Sequence, residues 1–348
     1  MSLTDETSRE LKALSFVCAL MVVAIHCWSS RLFFEGEADL SSLNAGVLFF
    51  LTASLSRTAV PCFFVLTGFF LARGFQPGMS WYWTAIKKRF LSIFVPLLVW
   101  NVLNVALLFA FGKVGNMSAS VIFQKIVGTN PYIGTACIQF WYLQTVIVWV
   151  LLSPITMPVL RRNIFAIPII FLLIFSWILN YRCVPYAISP WAFLWLTVGT
   201  MAATHEKHIA NIADRLRRSK VRLASLAVLV FAVSFRVFAG INRDASLFNL
   251  AEKFLVPIGV AVMFINADMI ARLLAPFRTL WGLGFFVYAF HTFAVSAVAM
   301  ACSRVLGDNE LLVVLCKLIG AIAISLCTGF AFRKVFPMAF AVMTGGRR

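Results

Sequence analysis

Four features of this sequence place chemically able side chains in an otherwise apolar chain: His26, Arg57, His291 within Tyr288-Ala-Phe-His291, and the basic run Lys87-Lys88-Arg89. A neutral imidazole accepts a proton near neutral pH, which makes His26 a candidate general base. The blander alternative is an interfacial histidine hydrogen-bonded to a neighbour. Arg57 stays protonated wherever it sits and needs an anion or water beside it. It either forms a structural ion pair with Glu252 or holds an anionic or polar group of a substrate. His291 is open between a packing partner on an apolar helix and a participant in chemistry. The basic run is a topology signal among lipid headgroups, or a cradle for the phosphates of a nucleotide-bearing donor.

The elements that must position these groups are membrane spans. Of 348 residues, 61% are hydrophobic and 12% charged, and the mean hydropathy is +0.92. A soluble globular chain carries roughly a quarter charged residues. The net charge of +17, from 30 Lys and Arg against 13 Asp and Glu, falls in short clusters between apolar runs. That pattern encodes membrane topology and argues against a nucleic-acid partner, which needs basic groups gathered on one soluble face. The eight cysteines have no CxxC spacing, and Cys18, Cys27, Cys62, Cys302, Cys316 and Cys327 lie in or at the ends of apolar runs. They read as small buried hydrophobes, with no metal site or disulfide framework implied. No small-residue cleavage site follows the first apolar run, which reads as a retained helix.

A span needs about 20 mostly apolar residues. That rule predicts ten, near 12–30, 46–72, 91–111, 140–160, 163–180, 188–203, 221–240, 250–270, 283–302 and 311–333. The second is long enough to tilt or break, with a kink expected at Pro61. With the N-terminus in the cytoplasm, the inner loops collect most of the 30 basic residues, and the acidic loop Glu35, Glu37, Asp39 falls outside. An even number of spans with both termini cytoplasmic satisfies the positive-inside bias. The expected fold is therefore an all-α integral membrane bundle of about ten helices. It forms one domain over 1–348 with its core at about 8–335. The loops are too short for a soluble catalytic domain. His26 then lies near the outer end of span 1, Arg57 near mid-membrane, Glu252 near the outer end of span 8 and His291 near the middle of span 9. Charged or titratable groups cost several kcal/mol at such depths unless paired or hydrated, so each is a functional candidate.

In this order the residues resemble the bacterial membrane acyltransferase family 3, polytopic O-acyltransferases of envelope sugars. Arg9 to Ser15 followed by Val22-Val-Ala-Ile-His26 is similar to the family's opening helix, which ends in a functional histidine. Ser56-Arg57-Thr-Ala-Val-Pro61-Cys-Phe-Phe64-Val-Leu-Thr67-Gly68 resembles its VPxFFxxSG stretch, with Thr67 for serine. Lys88-Arg89-Phe-Leu-Ser92 through Pro96 to Trp100 resembles its basic approach to span 3, and Phe140-Trp141-Tyr142-Leu143 its LWFL element. Val198-Gly199 stands where an FLG motif is expected, and Phe285 to His291 resembles the late sxxiYxxH motif. The pieces cover nearly the whole chain. Two positions depart from the pattern: Ser15 and Ser92 stand where the family usually carries arginines thought to serve its donor.

The resemblance implies a multi-pass protein of the bacterial cytoplasmic membrane. Its donor substrate would be a cytoplasmic acyl-CoA, acetyl-CoA foremost, with no bound cofactor. Its acceptor would be a hydroxyl of an envelope glycan or lipid-linked sugar. In that scheme His26 and Arg57 are catalytic, Lys88, Arg89 and Trp141 bind the donor, and His291, Tyr288 and Glu252 line the substrate channel. The competing classes are an inactive relative, suggested by Ser15 and Ser92, and a transporter or flippase. No convincing repeat with paired broken helices supports the latter.

Overall fold

The computed structural model describes residues 4–27, 46–47, 49–112, 117–128, 134–179, 188–242, 245–305 and 310–347. These are helical throughout, joined by turns, with no strand among the described residues. Among the described residues, eight helices or continuous helical runs are long and apolar enough to cross a membrane. The acidic loop at 35–39 lies outside the described residues. Two expected spans are short: 163–180 is helical over Asn163–Ile178 and 188–203 over Pro190–Thr204. At 1.5 Å per residue such helices reach only about 24 Å, less than a typical hydrocarbon core.

The chain divides into two compact units, Met1–Phe63 with Lys207–Ala331, and Phe64–Glu206 with Phe332–Arg348. In the first, α1 (Asp5–Cys27) is followed by a broken helix. A π turn, Phe49–Ser54, runs into a 3-10 turn, Leu55–Thr58, before α2 (Ala59–Arg73) begins. The break thus precedes Pro61, which sits in the first turn of α2. Proline there has no N–H to give the Arg57 carbonyl four residues back, so the bonding pattern changes just where that partner is missing. Later elements of this unit are α9 (Glu206–Leu216), α10 (Ser219–Ile241), α11 (Ala245–Ile265), α12 (Ala267–Leu273), the 3-10 segment Ala275–Leu283, α13 (Gly284–Val305) and most of α14 (Glu310–Val335).

Two apolar clusters hold the first unit. Leu229, Ala232 and Val233 of α10 pack on Leu255 and Val262 of α11, with Phe50 and Leu55 of the broken helix against them. Ala13 and Phe16 of α1 pack on Ala271 and Trp281. Several of its charges are paired. Glu10, nearly buried in α1, receives both Nη1 and Nη2 of Arg217 at 3.3 and 2.7 Å. Asp268 accepts from Arg222 and Arg272. Burial alone would raise the Asp268 carboxyl, but the Arg222 hydrogen bond, the Met269 N–H and the nearby guanidiniums outweigh it and hold the group below its ordinary value.

The second unit comprises α3 (Met79–Arg89), a π turn Phe90–Phe94, α4 (Val95–Ala110), α5 (Ala119–Val127), α6 (Trp141–Leu160), α7 (Asn163–Ile178), α8 (Pro190–Thr204) and the C-terminal α15 (Pro337–Met343), besides the greater part of α2. Fully buried Asn101 ties α4 to the end of α5 and to the segment before α6, donating to the Ile126 carbonyl at 2.9 Å and accepting the Cys137 N–H at 3.0 Å. Helices α2 and α8 meet backbone to backbone through two glycines. A Cβ on Gly68 would overlap the Leu196 carbonyl oxygen, and one on Gly199 the Val65 carbonyl oxygen. Small residues permit this approach in a membrane bundle, where dispersion contacts and not water expulsion draw helices together.

The glycine pair yields a direct expectation. Gly68→Ala should destabilise the protein by at least the upper part of the overpacking range of about 1–3 kcal/mol, because backbone cannot rotate away. The drop is read as a lower unfolding midpoint in detergent. Gly74→Ala, whose added carbon would lie an ordinary 3.6 Å from the Phe70 oxygen, should unfold near wild type.

Candidate active site

His26 is the penultimate residue of α1, and its side chain is exposed. Across from it on α13, His291 is fully buried. Their ring centroids are 4.8 Å apart at an interplanar angle of 45°. Residues 265 positions apart in the chain (291 − 26) are therefore brought into contact, one ring reachable and one enclosed. Nδ1 of His291 lies 2.7 Å from the Tyr288 carbonyl oxygen. A carbonyl only accepts, so Nδ1 carries the proton, and Nε2 of the neutral ring presents a lone pair. That Nε2 is buried and has no hydrogen-bond partner among the described residues. An orphaned acceptor beside an exposed imidazole has the layout of a group waiting for an N–H or O–H.

Tyr288 contributes its carbonyl to this arrangement. Its ring is buried and packs edge-on against Phe63 at 6.3 Å. Arg57 projects from the 3-10 turn in the broken helix and is exposed. Its charge is close enough to act on the His26 ring and on Arg236. The break puts a guanidinium on a turn, near enough for its charge to be felt at the His26 ring.

Glu252 is bound to another residue. Arg236 of α10, 1% exposed, donates through Nη2 to Glu252 Oε2 at 2.8 Å and through Nη1 to Ser54 Oγ at 3.2 Å. Its Cζ stands 4.1 Å from the Phe248 ring centroid and 5.6 Å from that of Phe49. The guanidinium is thus charge-paired, hydrogen-bonded and faced by two aromatic rings. The ion pair weighed for Arg57 in the sequence is made by Arg236 instead. Arg236 binds Ser54 and faces Phe49, so it anchors the segment leading into Arg57. An arginine deep in an apolar run is a signal the sequence itself carries.

The remaining candidates lie in the second unit. Of the basic run, Lys87 and Lys88 are exposed while Arg89 turns inward. Trp141, half-buried at the start of α6, belongs to an aromatic group with Phe64 at 5.7 Å and Trp191 at 6.1 Å. Tyr142 stacks at a tilt on Phe64, 4.8 Å away, and its hydroxyl shares a 2.6 Å hydrogen bond with Thr67 Oγ1. The motif residues Phe64, Thr67, Trp141 and Tyr142 therefore converge. Ser15 is half-buried on α1, eleven residues before His26, or about three turns along the same face. No cluster of three potential metal ligands occurs among the described residues.

A family model described as an acyltransferase domain matches residues 9–330. No curated protein and no solved structure matches the chain.

Proposed function

This chain belongs to acyltransferase family 3, and from that premise we propose that it moves an acyl group, acetyl foremost, from acyl-CoA to a hydroxyl of an envelope polysaccharide or lipid-linked sugar. The observation that carries the reading is the contact between exposed His26 and buried His291, whose accepting Nε2 has no partner among the described residues. In this reading the acceptor alcohol gives its proton to His26. The alcohol oxygen forms a bond to the thioester carbonyl carbon, and the carbon–sulfur bond breaks. The proton then leaves with the coenzyme A thiolate, so an ester and a thiol replace an alcohol and a thioester. His291 acts as a positioning residue that orients the His26 ring. Arg57 stabilises the negative charge that develops on the thioester oxygen or orients the acceptor, a role worth a few kcal/mol in a water-poor site. Tyr288 fixes the His291 tautomer through its carbonyl. Glu252 serves by holding Arg236, and Arg89, Lys88 and Trp141 bind the donor.

The accompanying topology is a multi-pass protein of the bacterial cytoplasmic membrane with about ten spans. The eight long helices and the shorter apolar helix Asn163–Ile178 support a count near that number, and this reading puts both termini on the cytoplasmic side with the donor. Purified protein in nanodiscs, given acetyl-CoA labelled in its acetyl group and an envelope extract, should move label into a glycan or lipid-linked sugar. Envelope glycans from cells lacking the gene should lose one acyl mass. An unchanged glycan mass profile together with no label transfer would leave the inactive-relative or transporter reading in its place.

A further inference from the structure

Helices α13 and α14 pack antiparallel, and two glycine contacts fix their register. A Cβ on Gly320 of α14 would come within 3.2 Å of Val298 Cγ2 on α13, and one on Gly329 within 2.8 Å of the Phe286 ring. In an antiparallel pair, four residues forward on one helix and four back on the other lead to the next facing position. From Val298 and Gly320 that step arrives at Cys302 and Cys316. The two thiols accordingly lie within hydrogen-bond reach of each other. A disulfide needs Cβ atoms that face each other across closely packed backbone, and the glycine contact one turn away supplies that approach.

The place of this pair in the fold decides what can reach it. Cys302 ends the apolar run Ala275–Cys302, and Cys316 lies near the start of the run Leu312–Val335. Both are therefore within about two turns of the connection at 306–309. Cys302 is buried, but Cys316 is only half-buried, so a reactant can approach one sulfur of the two. A second thiol pair provides the contrast. Cys18 of α1 and Cys62 of α2 are also within hydrogen-bond reach of each other, yet both are fully buried. Thiol–disulfide exchange requires direct contact between sulfurs, so an enclosed pair stays reduced whatever surrounds the protein.

We propose that Cys302 and Cys316 are a disulfide-forming site that clips the end of α13 to α14. The proposal rests on the topology given above, which puts the 306–309 connection outside the cytoplasm, where thiols are kept oxidised. The oxidant is a protein disulfide of an envelope thiol–disulfide oxidoreductase. The Cys316 thiolate attacks it, giving a mixed disulfide and releasing one thiol of the oxidant. Cys302 then attacks Cys316 Sγ, and the new sulfur–sulfur bond forms as the mixed disulfide breaks. The chain gives up two electrons and two thiol protons, and the oxidant is reduced to a dithiol. Helix α13 also carries His291, about three turns before Cys302, so the clip secures the helix that supplies the buried ring of the histidine pair.

The test uses the full chain expressed in bacterial membranes. Cells are quenched in acid, which stops exchange, and the protein is alkylated with N-ethylmaleimide in denaturant with or without prior reduction. Trypsin cuts at Arg304 and Lys317 and so puts the two cysteines on separate peptides, Thr279–Arg304 and Val305–Lys317. Mass spectrometry should find these peptides joined and unalkylated until they are reduced, whereas Cys18, Cys62 and exposed Cys327 react without reduction. A reductant should also lower the unfolding midpoint of wild type by several degrees, as expected for opening a short cross-linked loop. It should leave the midpoints of Cys302→Ser and Cys316→Ser unmoved. Full alkylation of Cys302 and Cys316 without reduction overturns the proposal, and so does a reductant-sensitive midpoint that persists in Cys302→Ser. Alkaline phosphatase fused after Arg348, which is active only outside the cytoplasm, separates this failure from that of the topology. Free thiols with an inactive fusion sink this proposal alone, and an active fusion sinks the proposed topology whatever the thiols show.

Discussion

His26→Ala is expected to lower the rate of acyl transfer by roughly 10²–10⁴, the usual contribution of a positioned general base, while abundance and unfolding midpoint stay near wild type. The separation follows from where the ring sits. Its side chain is exposed at the end of α1, so truncation removes little packed surface and opens no interior cavity. His291→Ala should behave differently. That ring is fully buried, so its loss should lower both rate and stability, the latter by about 2–5 kcal/mol on the scale of other large-to-small core changes. The contrast distinguishes a catalytic pair from two packing histidines: packing alone predicts that His291→Ala is the worse enzyme and that His26→Ala is nearly wild type. Initial rates at saturating acetyl-CoA, set beside thermal unfolding of the same preparations, decide it. A wild-type rate for His26→Ala removes His26 as the base.

The histidines were legible individually because a titratable group in an apolar run is conspicuous whatever its partner. Their contact was not, since it depends on α1 and α13 lying side by side, and nothing local in either segment specifies the other. The same limit explains the pairing of Glu252. Arg57 and Arg236 both interrupt apolar runs, and choosing between them requires knowing that Ser54, Phe49 and Phe248 converge on Arg236. Hydropathy located the long spans well and placed α7 and α8 to within one or two residues. The glycines of Thr67-Gly68 and Val198-Gly199 carried the family likeness as letters. Their physical reason, mutual backbone approach of α2 and α8, needs coordinates.

Arg236→Met should be strongly destabilising. Removing one partner of an enclosed ion pair costs about 3–5 kcal/mol when the other charge is left stranded. Here the lower end is expected, because the Glu252 side chain is 33% exposed and can recover some water. Glu252→Gln should cost less, since its amide oxygen can still accept from Arg236. If the pair serves only stability, Arg236→Met/Glu252→Met should restore both folding and rate, as apolar replacements of buried pairs often do for stability. If Arg236 instead holds the broken helix in register for Arg57, the double variant should regain its unfolding midpoint yet remain slow. The hydrogen bond to Ser54 Oγ and the contact with Phe49 would still be missing, and with them the constraint on the turn at Leu55–Thr58. Ser54→Ala supplies the matching single-atom test. It leaves the ion pair intact and should reproduce part of the rate defect with little loss of stability, which a purely structural Arg236–Glu252 pair would not produce.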